Sequence, residues 1–332
     1  MKLEEEIREL YNGVVLEDMG ANNHELWLQM YRGEYPYLSS DTVSLNLACT
    51  IATELARTAT LELKSEVTSA GSKTEELNKI YQLLIEDIRK LTEYGLALGG
   101  IIIKPLEVTE GVIAFDYATP DLFIPLEVDA NGELKRVVFI SRLAKRIKNK
   151  TIYYTKLEEH NRGNEYKISN RAFESGLPTS LGKEIFLQDV EEWAGIEEEV
   201  ILEINGQAID YNLFGYFKNP QANNLDLKSP LGVSCFSRAT SLIQDADEQY
   251  SRILWEYESK ETAIDVDETM LKLVDDRVQL PARQERIFRK LNTDEGNLYQ
   301  VYSPEIRDAS LFNGLNQILK KIEDACGLSR GM

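Results

Sequence analysis

Histidine and cysteine, the side chains that most often hold metals or act as nucleophiles, are nearly missing: there are two and three of them in 332 residues. His24 and His160 each stand alone, and Cys49, Cys235 and Cys326 are far apart with no partner at ligand spacing. Locally read zinc sites, CxxC redox motifs and Cys-His pairs are therefore excluded. An odd, dispersed set of thiols reads as reduced and buried in a cytoplasmic protein. No apolar run approaches the ~18 residues of a membrane span, and the opening Met1-Lys-Leu-Glu-Glu-Glu is acidic where a secretion signal is basic. Gly182-Lys183 is followed by Glu184 instead of the Ser or Thr of a phosphate loop, and Gly95 to Gly100 follows a helical pattern, not a strand. Positive charge is also short. Lys and Arg number 37 against 56 Asp and Glu, a net charge of -19, and with no basic stripe apparent a static nucleic-acid clamp is disfavoured.

What is present is strong periodicity. From Cys235 to Met332 two helical patterns flank a strand-rich insertion. The first carries Phe236, Ala239, Leu242, Ile243, Ala246, Tyr250, Ile253, Leu254 and Tyr257 on one apolar stripe, with Arg238, Asp245, Asp247, Glu248, Arg252 and Glu256 on the other face. The second begins near Ser303-Pro304-Glu305, shows Ile306, Leu311, Leu315, Ile318, Leu319 and Ile322, and stops at Gly327. Between them lie β-prone runs at 262–266, 286–289 and 298–302. A helix pair with a small lobe at its far end is the expected unit.

The preceding residues predict an α+β body, helices first and a mainly antiparallel sheet after. A charged N-terminal helix leads to an aromatic-rich stretch, Leu26 to Tyr37, read as a lid on the body. A helix is expected from Thr42 to about Glu62, capped by Ser40 or Asp41, and another from Leu77 to Tyr94-Gly95. Gly99 to Pro105 and Val112 to Tyr117 read as paired strands. Two hairpins follow, 123–128 with 134–140 and 151–157 with 166–169. Residues 176–210 read as a helix-loop connection, and Phe214 to Lys218 as a closing strand.

Two functional classes compete on these residues alone. Asp245, Asp247 and Glu248 could be ligands of a metal-dependent nuclease or phosphoesterase, but Asp247 points away from the other two on a helix, so a solvated face is the expected reading. The chain could instead act by binding: as a monomeric adaptor whose small lobe takes one partner, or as a subunit that packs on copies of itself.

Residues 211–258 contain Phe217-Lys-Asn-Pro220, Ser229-Pro-Leu-Gly232-Val-Ser and Trp255-Glu-Tyr-Glu258. With Asn46 to Ala56, Glu93 to Gly100, Lys104-Pro105, Ser303 to Arg307 and Gly327 to Gly331, in that order, the chain resembles the portal proteins of long-tailed bacteriophages of Gram-positive hosts. The resemblance implies a wing (1–235), a two-helix stem (236–258 and 306–326), a small α/β clip (259–305) and, at 327–332, the start of a tunnel-loop region before which the chain is truncated relative to that family. It implies no catalysis, cofactor or metal and no membrane. It implies a homo-oligomeric, usually dodecameric ring at a capsid vertex, assembled in the host cytoplasm. Such a ring passes double-stranded DNA during packaging and ejection, and docks the terminase large subunit, head-tail adaptors, scaffolding and the major capsid protein. Leu242, Ile243, Ile253, Leu315, Ile318 and Ile322 would then pack the stem, with Arg307, Lys320, Lys321 and Asp324 near the bore.

Overall fold

Apolar residues recur every three or four positions up to Leu98, and beyond Gly100 β-branched and aromatic residues take over, so the chain winds first and then extends. The computed structural model describes residues 2–11, 21–109, 112–259, 263–267, 273–274, 277–278, 288–291, 299–302, 308–329 and 331. It is an α+β protein with two units, Met1–Pro36 with Asn46–Ser237, and Tyr37–Leu45 with Arg238–Met332.

The first unit opens with helices α1 (Lys2–Leu10), α2 (Ala21–Arg32), α3 (Leu47–Thr60) and α4 (Thr74–Leu98). The expected aromatic lid is instead part of the helical layer: α2 packs against α3 and α4, and Trp27 and Met30 are buried. Helix α3 begins later than expected. Its first turn follows Asn46, which takes the left-handed φ of 52° and makes no side-chain cap, and Ser40 and Asp41 bond locally to each other. Helix α4 runs past Gly95 and closes at Gly99, where φ is 89°. Gly95 serves packing and not termination, because a Cβ there would overlap the Phe217 ring.

Strands β1 (Gly100–Thr109) and β2 (Val112–Ala118) form an antiparallel pair, joined later by β10 (Gly215–Lys218) on the free side of β1. The larger sheet is built of β3 (Phe123–Val128), β4 (Leu134–Ile147), β5 (Lys150–Arg162) and β6 (Tyr166–Ser175), all antiparallel. Its two faces explain the unbroken apolar run at 137–140. Val138 and Ile140 meet Ile7 and Tyr11, the latter just beyond α1, while Val137 and Phe139 meet Ile102 of β1 and Phe214. Strand β6 then forks. Its first half pairs with β8 (Glu199–Ile204), which carries β9 (Gln207–Ala208), and its second half pairs with β7 (Lys183–Ile185). Residues 176–210 are thus short strands and two 3-10 turns, not a helix and loop. Leu187, Val190 and Trp193 fold down onto Tyr154 and Ala172, which no helical stripe there announces.

The end of α4, strand β10 and residues 229–235 cross at one point. A Cβ on Gly99 would lie 2.6 Å from the Gly232 carbonyl oxygen, and one on Gly232 would overlap the Gly99 carbonyl. The Asn219 amide donates to Gly99 O at 3.0 Å, its side-chain amide to Val233 O at 2.7 Å, and the Cys235 amide to Leu96 O at 2.9 Å. Gly232 N–H donates to the Tyr216 hydroxyl at 3.2 Å.

In the second unit the segment Tyr37–Leu45 accompanies helix α5 (Thr240–Ser259), which packs against α6 (Asp308–Cys326). Between them in sequence come β11 (Ala263–Asp267), the hairpin β12 (Leu273–Val274) and β13 (Arg277–Val278), then β14 (Phe288–Leu291) and β15 (Tyr299–Tyr302). β11 is central, parallel to β14 and antiparallel to β15. Only strands are found among the described residues of this lobe. The expected cap at Ser303-Pro304-Glu305 lies outside the described residues. The far end of α6 closes as expected: Gly327 takes φ 71°, and Leu328 N–H reaches Glu323 O at 2.9 Å.

Gly232→Ala is expected to cost about 3 kcal/mol, because backbone must move to admit the methyl group, lowering Tm by roughly 6–12 °C. Gly195→Ala, where nothing lies within 4 Å, is the control and should leave Tm nearly unchanged in thermal unfolding.

Candidate functional site

The paired helices α5 and α6 carry most of the residues singled out in the sequence. Ile243, Ile253, Leu315 and Ile322 are buried, and Leu242 and Ile318 half-buried. Gln249 donates from Nε2 to Leu311 O at 3.2 Å, over the place where Gly314 leaves room. Lys320, Lys321 and Asp324 are exposed on α6, and Arg307 lies outside the described residues.

The opposite face of α5 is not simply solvated. Asp247 is fully buried, and Glu256 nearly so. Asp247 Oδ1 accepts from the Leu45 amide at 2.7 Å and Oδ2 from the Tyr37 hydroxyl at 2.8 Å, with Ser44 as a further donor. One turn on, Ser251 donates to Asp247 O and accepts from the Val43 amide at 2.9 Å. These bonds fix residues 37–45 along α5, which is why α3 cannot begin at Thr42. Burial pushes the Asp247 carboxyl above its ordinary value, while the three donors pull it back. At its end α5 turns apolar side chains outward. Leu254, Trp255 and Tyr257 are exposed, Trp255 by 65 %, and Phe312 of α6 is exposed as well.

Asp245, Asp247 and Glu248 do not converge. Asp245 is exposed, Asp247 is held by its own donors, and Glu248 accepts from Gln244 at 3.0 Å and faces Arg252 at 3.6 Å. Among the described residues no group of three His, Cys, Asp or Glu side chains is placed to hold a metal ion. Burial pushes the Cys326 thiol up to about 12, so it stays protonated at neutral pH.

The densest buried charge is on the large sheet. Glu158 of β5 receives Lys104 Nζ at 2.6 Å, Lys156 Nζ at 2.9 Å and His160 Nε2 at 3.0 Å, and Lys104 also lies 4.7 Å from the Phe139 ring centre. The other nitrogen of His160 meets the Tyr166 hydroxyl at 3.0 Å, which accepts from Leu213 N–H. With Nε2 donating to the carboxylate and Nδ1 accepting from tyrosine, one tautomer of His160 satisfies both partners. His24 is likewise buried, with Nδ1 3.2 Å from Leu98 O. Burial alone would raise the Glu158 carboxyl, but His160 and the two lysines hold it well below the usual carboxylate range. Every polar group in this cluster has a partner, and it holds β1 to β5.

A feature the sequence reading passed over is a basic hairpin. Strand β4 continues to Ile147, turns at Lys148 (φ 46°) and Asn149 (φ 68°) and returns as β5. Arg142, Lys145, Arg146, Lys148 and Lys150 all lie on this finger, which has no acidic residue from 141 to 150. The excess of 19 negative charges over the whole chain hides it in any overall count.

No described helix is long and apolar enough to cross a membrane. Asp247→Asn should keep both bonds, since Oδ1 can accept from Leu45 and Nδ2 can donate to the Tyr37 oxygen. The folded-state value of Asp247 is raised, so its contribution to stability is greatest below about 3.8 and falls as pH rises through the folded value. The Tm difference should therefore shift in favour of Asp247→Asn between about pH 4 and pH 7, whereas Asp247→Ala should cost about 2–3 kcal/mol near pH 4 by stranding its donors, a cost that shrinks toward pH 7 by the same linkage. Glu158→Gln leaves the buried Lys156 without its counter-charge and Lys104 with only Asp116 at 3.8 Å, and should lower stability by about 3–5 kcal/mol in urea unfolding at pH 7. Searches with protein-family models and against curated proteins return no match for this chain.

Proposed function

We propose that the chain is a subunit of a portal-type ring, a channel at a capsid vertex through which double-stranded DNA passes during packaging and ejection. The observation that carries the reading is the arrangement of the second unit: two long helices packed on one another, with a strand lobe between them in sequence. This is the stem-and-clip order that the resemblance implies. Three of the passages that carry that resemblance in the first unit, 93–100, 217–220 and 229–234, meet at one backbone crossing, where their residue types serve close packing.

Electrostatics favour the same role. Duplex DNA carries one negative charge per ~1.7 Å, and a wall studded with cations would hold it through counterion release. The exposed residues of α6 mix Lys320 and Lys321 with Asp324, and the chain as a whole is strongly acidic, so a bore built from it would not grip. Only charges within about 8 Å of the duplex matter at physiological salt. The exposed Leu254, Trp255, Tyr257 and Phe312 suit contact with a neighbouring copy or with a docked protein. In this reading the partners are copies of the chain, the terminase large subunit, head-tail adaptors, scaffolding and capsid proteins, and the place of action is the virion.

Purified protein at micromolar concentration is expected to give rings, with dodecamers foremost, in negative-stain images and native mass spectra. A chain that stays monomeric under these conditions, in low and high salt alike, would overturn the proposal.

A further inference from the structure

We infer that the basic β4–β5 finger docks onto the acidic β8–β9 end of the large sheet of a second copy of this chain, forming a head-to-tail contact. The inference rests on the self-association that the ring reading requires, and it names the surfaces that make it.

The finger is built to present charge. Arg142 is engaged by the Pro178 carbonyl and Lys145 by Glu192 at 2.5 Å, while Arg146, Lys148 and Lys150 are exposed and make no ion pair with described residues. Both turn residues have positive φ, which suits the tight two-residue turn, but Lys is an uncommon choice there. The turn places the Lys148 side chain at the tip beside Ile147, itself 43 % exposed.

A complementary surface lies on the same sheet. Glu197 and Glu198, just before β8, and Glu203 on it are exposed, and Ile201, 47 % exposed, shares the face of Glu203 on the strand. Acid and isoleucine on this end match cation and isoleucine on the finger. The two cannot meet within one chain. Glu199 pairs with Ser169, which pairs with Glu159, nine residues along β5 from Lys150, or ~30 Å at about 3.3 Å per residue. That exceeds the Debye length of ~8 Å several-fold. Two different patches on one unit can be satisfied by a neighbour on each side, and a contact of that kind repeats into a ring or a filament.

The test is a charge reversal on the full chain, read by sedimentation velocity and native mass spectrometry, with circular dichroism to confirm folding. R146E/K148E/K150E and E197K/E198K/E203K should each weaken self-association about tenfold or more. The chain carrying all six substitutions should assemble again, and wild-type assembly should weaken as salt rises from 0.05 to 0.5 M, values chosen to span the screening range. If wild type assembles and the reversals change nothing, or if the sixfold variant stays apart, this inference falls and the ring reading stands. A monomeric wild type sinks both. Should the finger reversal abolish retention of duplex DNA in a gel shift while leaving assembly intact, the finger serves nucleic acid and the inference is overturned.

Discussion

The crossing of Gly99 and Gly232 is the constraint on which the first unit depends. Two backbones approach so closely that neither position admits a Cβ, and the approach lets Asn219 bond Gly99 O and Val233 O together. Through Gly99 the crossing sets where α4 ends and β1 starts, and through Asn219 it sets where β10 stops. Leu96, Ala97 and Leu98 are buried as a result, and Cys235, bonded to Leu96 O, is delivered to the threshold of α5. Glycine is needed here for close approach at both positions and, at Gly99, for a left-handed φ as well.

Two buried carboxylates perform opposite electrostatic tasks on this frame. Glu158 stays charged because three donors converge on it, and it ties β1 to β5. Asp247 is held by backbone and hydroxyl donors with no ion-pair partner among the described residues, and burial raises its carboxyl. The first makes the sheet more secure as long as the carboxylate is ionised. The second fixes residues 37–45 along α5 at some electrostatic cost, which suggests that the order of that segment matters more than its stability.

Much of this was legible in the sequence wherever burial is periodic. The stripes of α5 and α6, the hairpin of β3 and β4 and the three longer strands of the small lobe follow from 3.6- and 2-residue spacing, whereas 166–169 pair with 159–162 and not with the expected 151–157. The failures share a physical cause, since each depends on a residue distant in sequence. Gly95 looks like a stop until Phe217 lies against it. Asp247 looks solvated until Tyr37 and Leu45 cover it. Helix α3 has a plausible cap at Ser40 until that segment is held along α5. Residues 176–210 have no stripe because β7, β8 and the 3-10 turns are organised by β6 and not by their own amphipathicity. The finger was obscured differently, by a net charge that averages over it.

That average also frames the assembly problem. A chain carrying 19 excess negative charges has a long-range self-repulsion, against which any contact between copies would have to act. A local cationic finger facing an acidic end of the sheet reverses the sign of the force at one place only, and so selects one orientation among many. The same concentration of positive charge into an outlying hairpin leaves the rest of the surface acidic. In the proposed ring, subunits that hold one another while a polyanion slides past would need that separation: attraction confined to the joints, repulsion left for the wall.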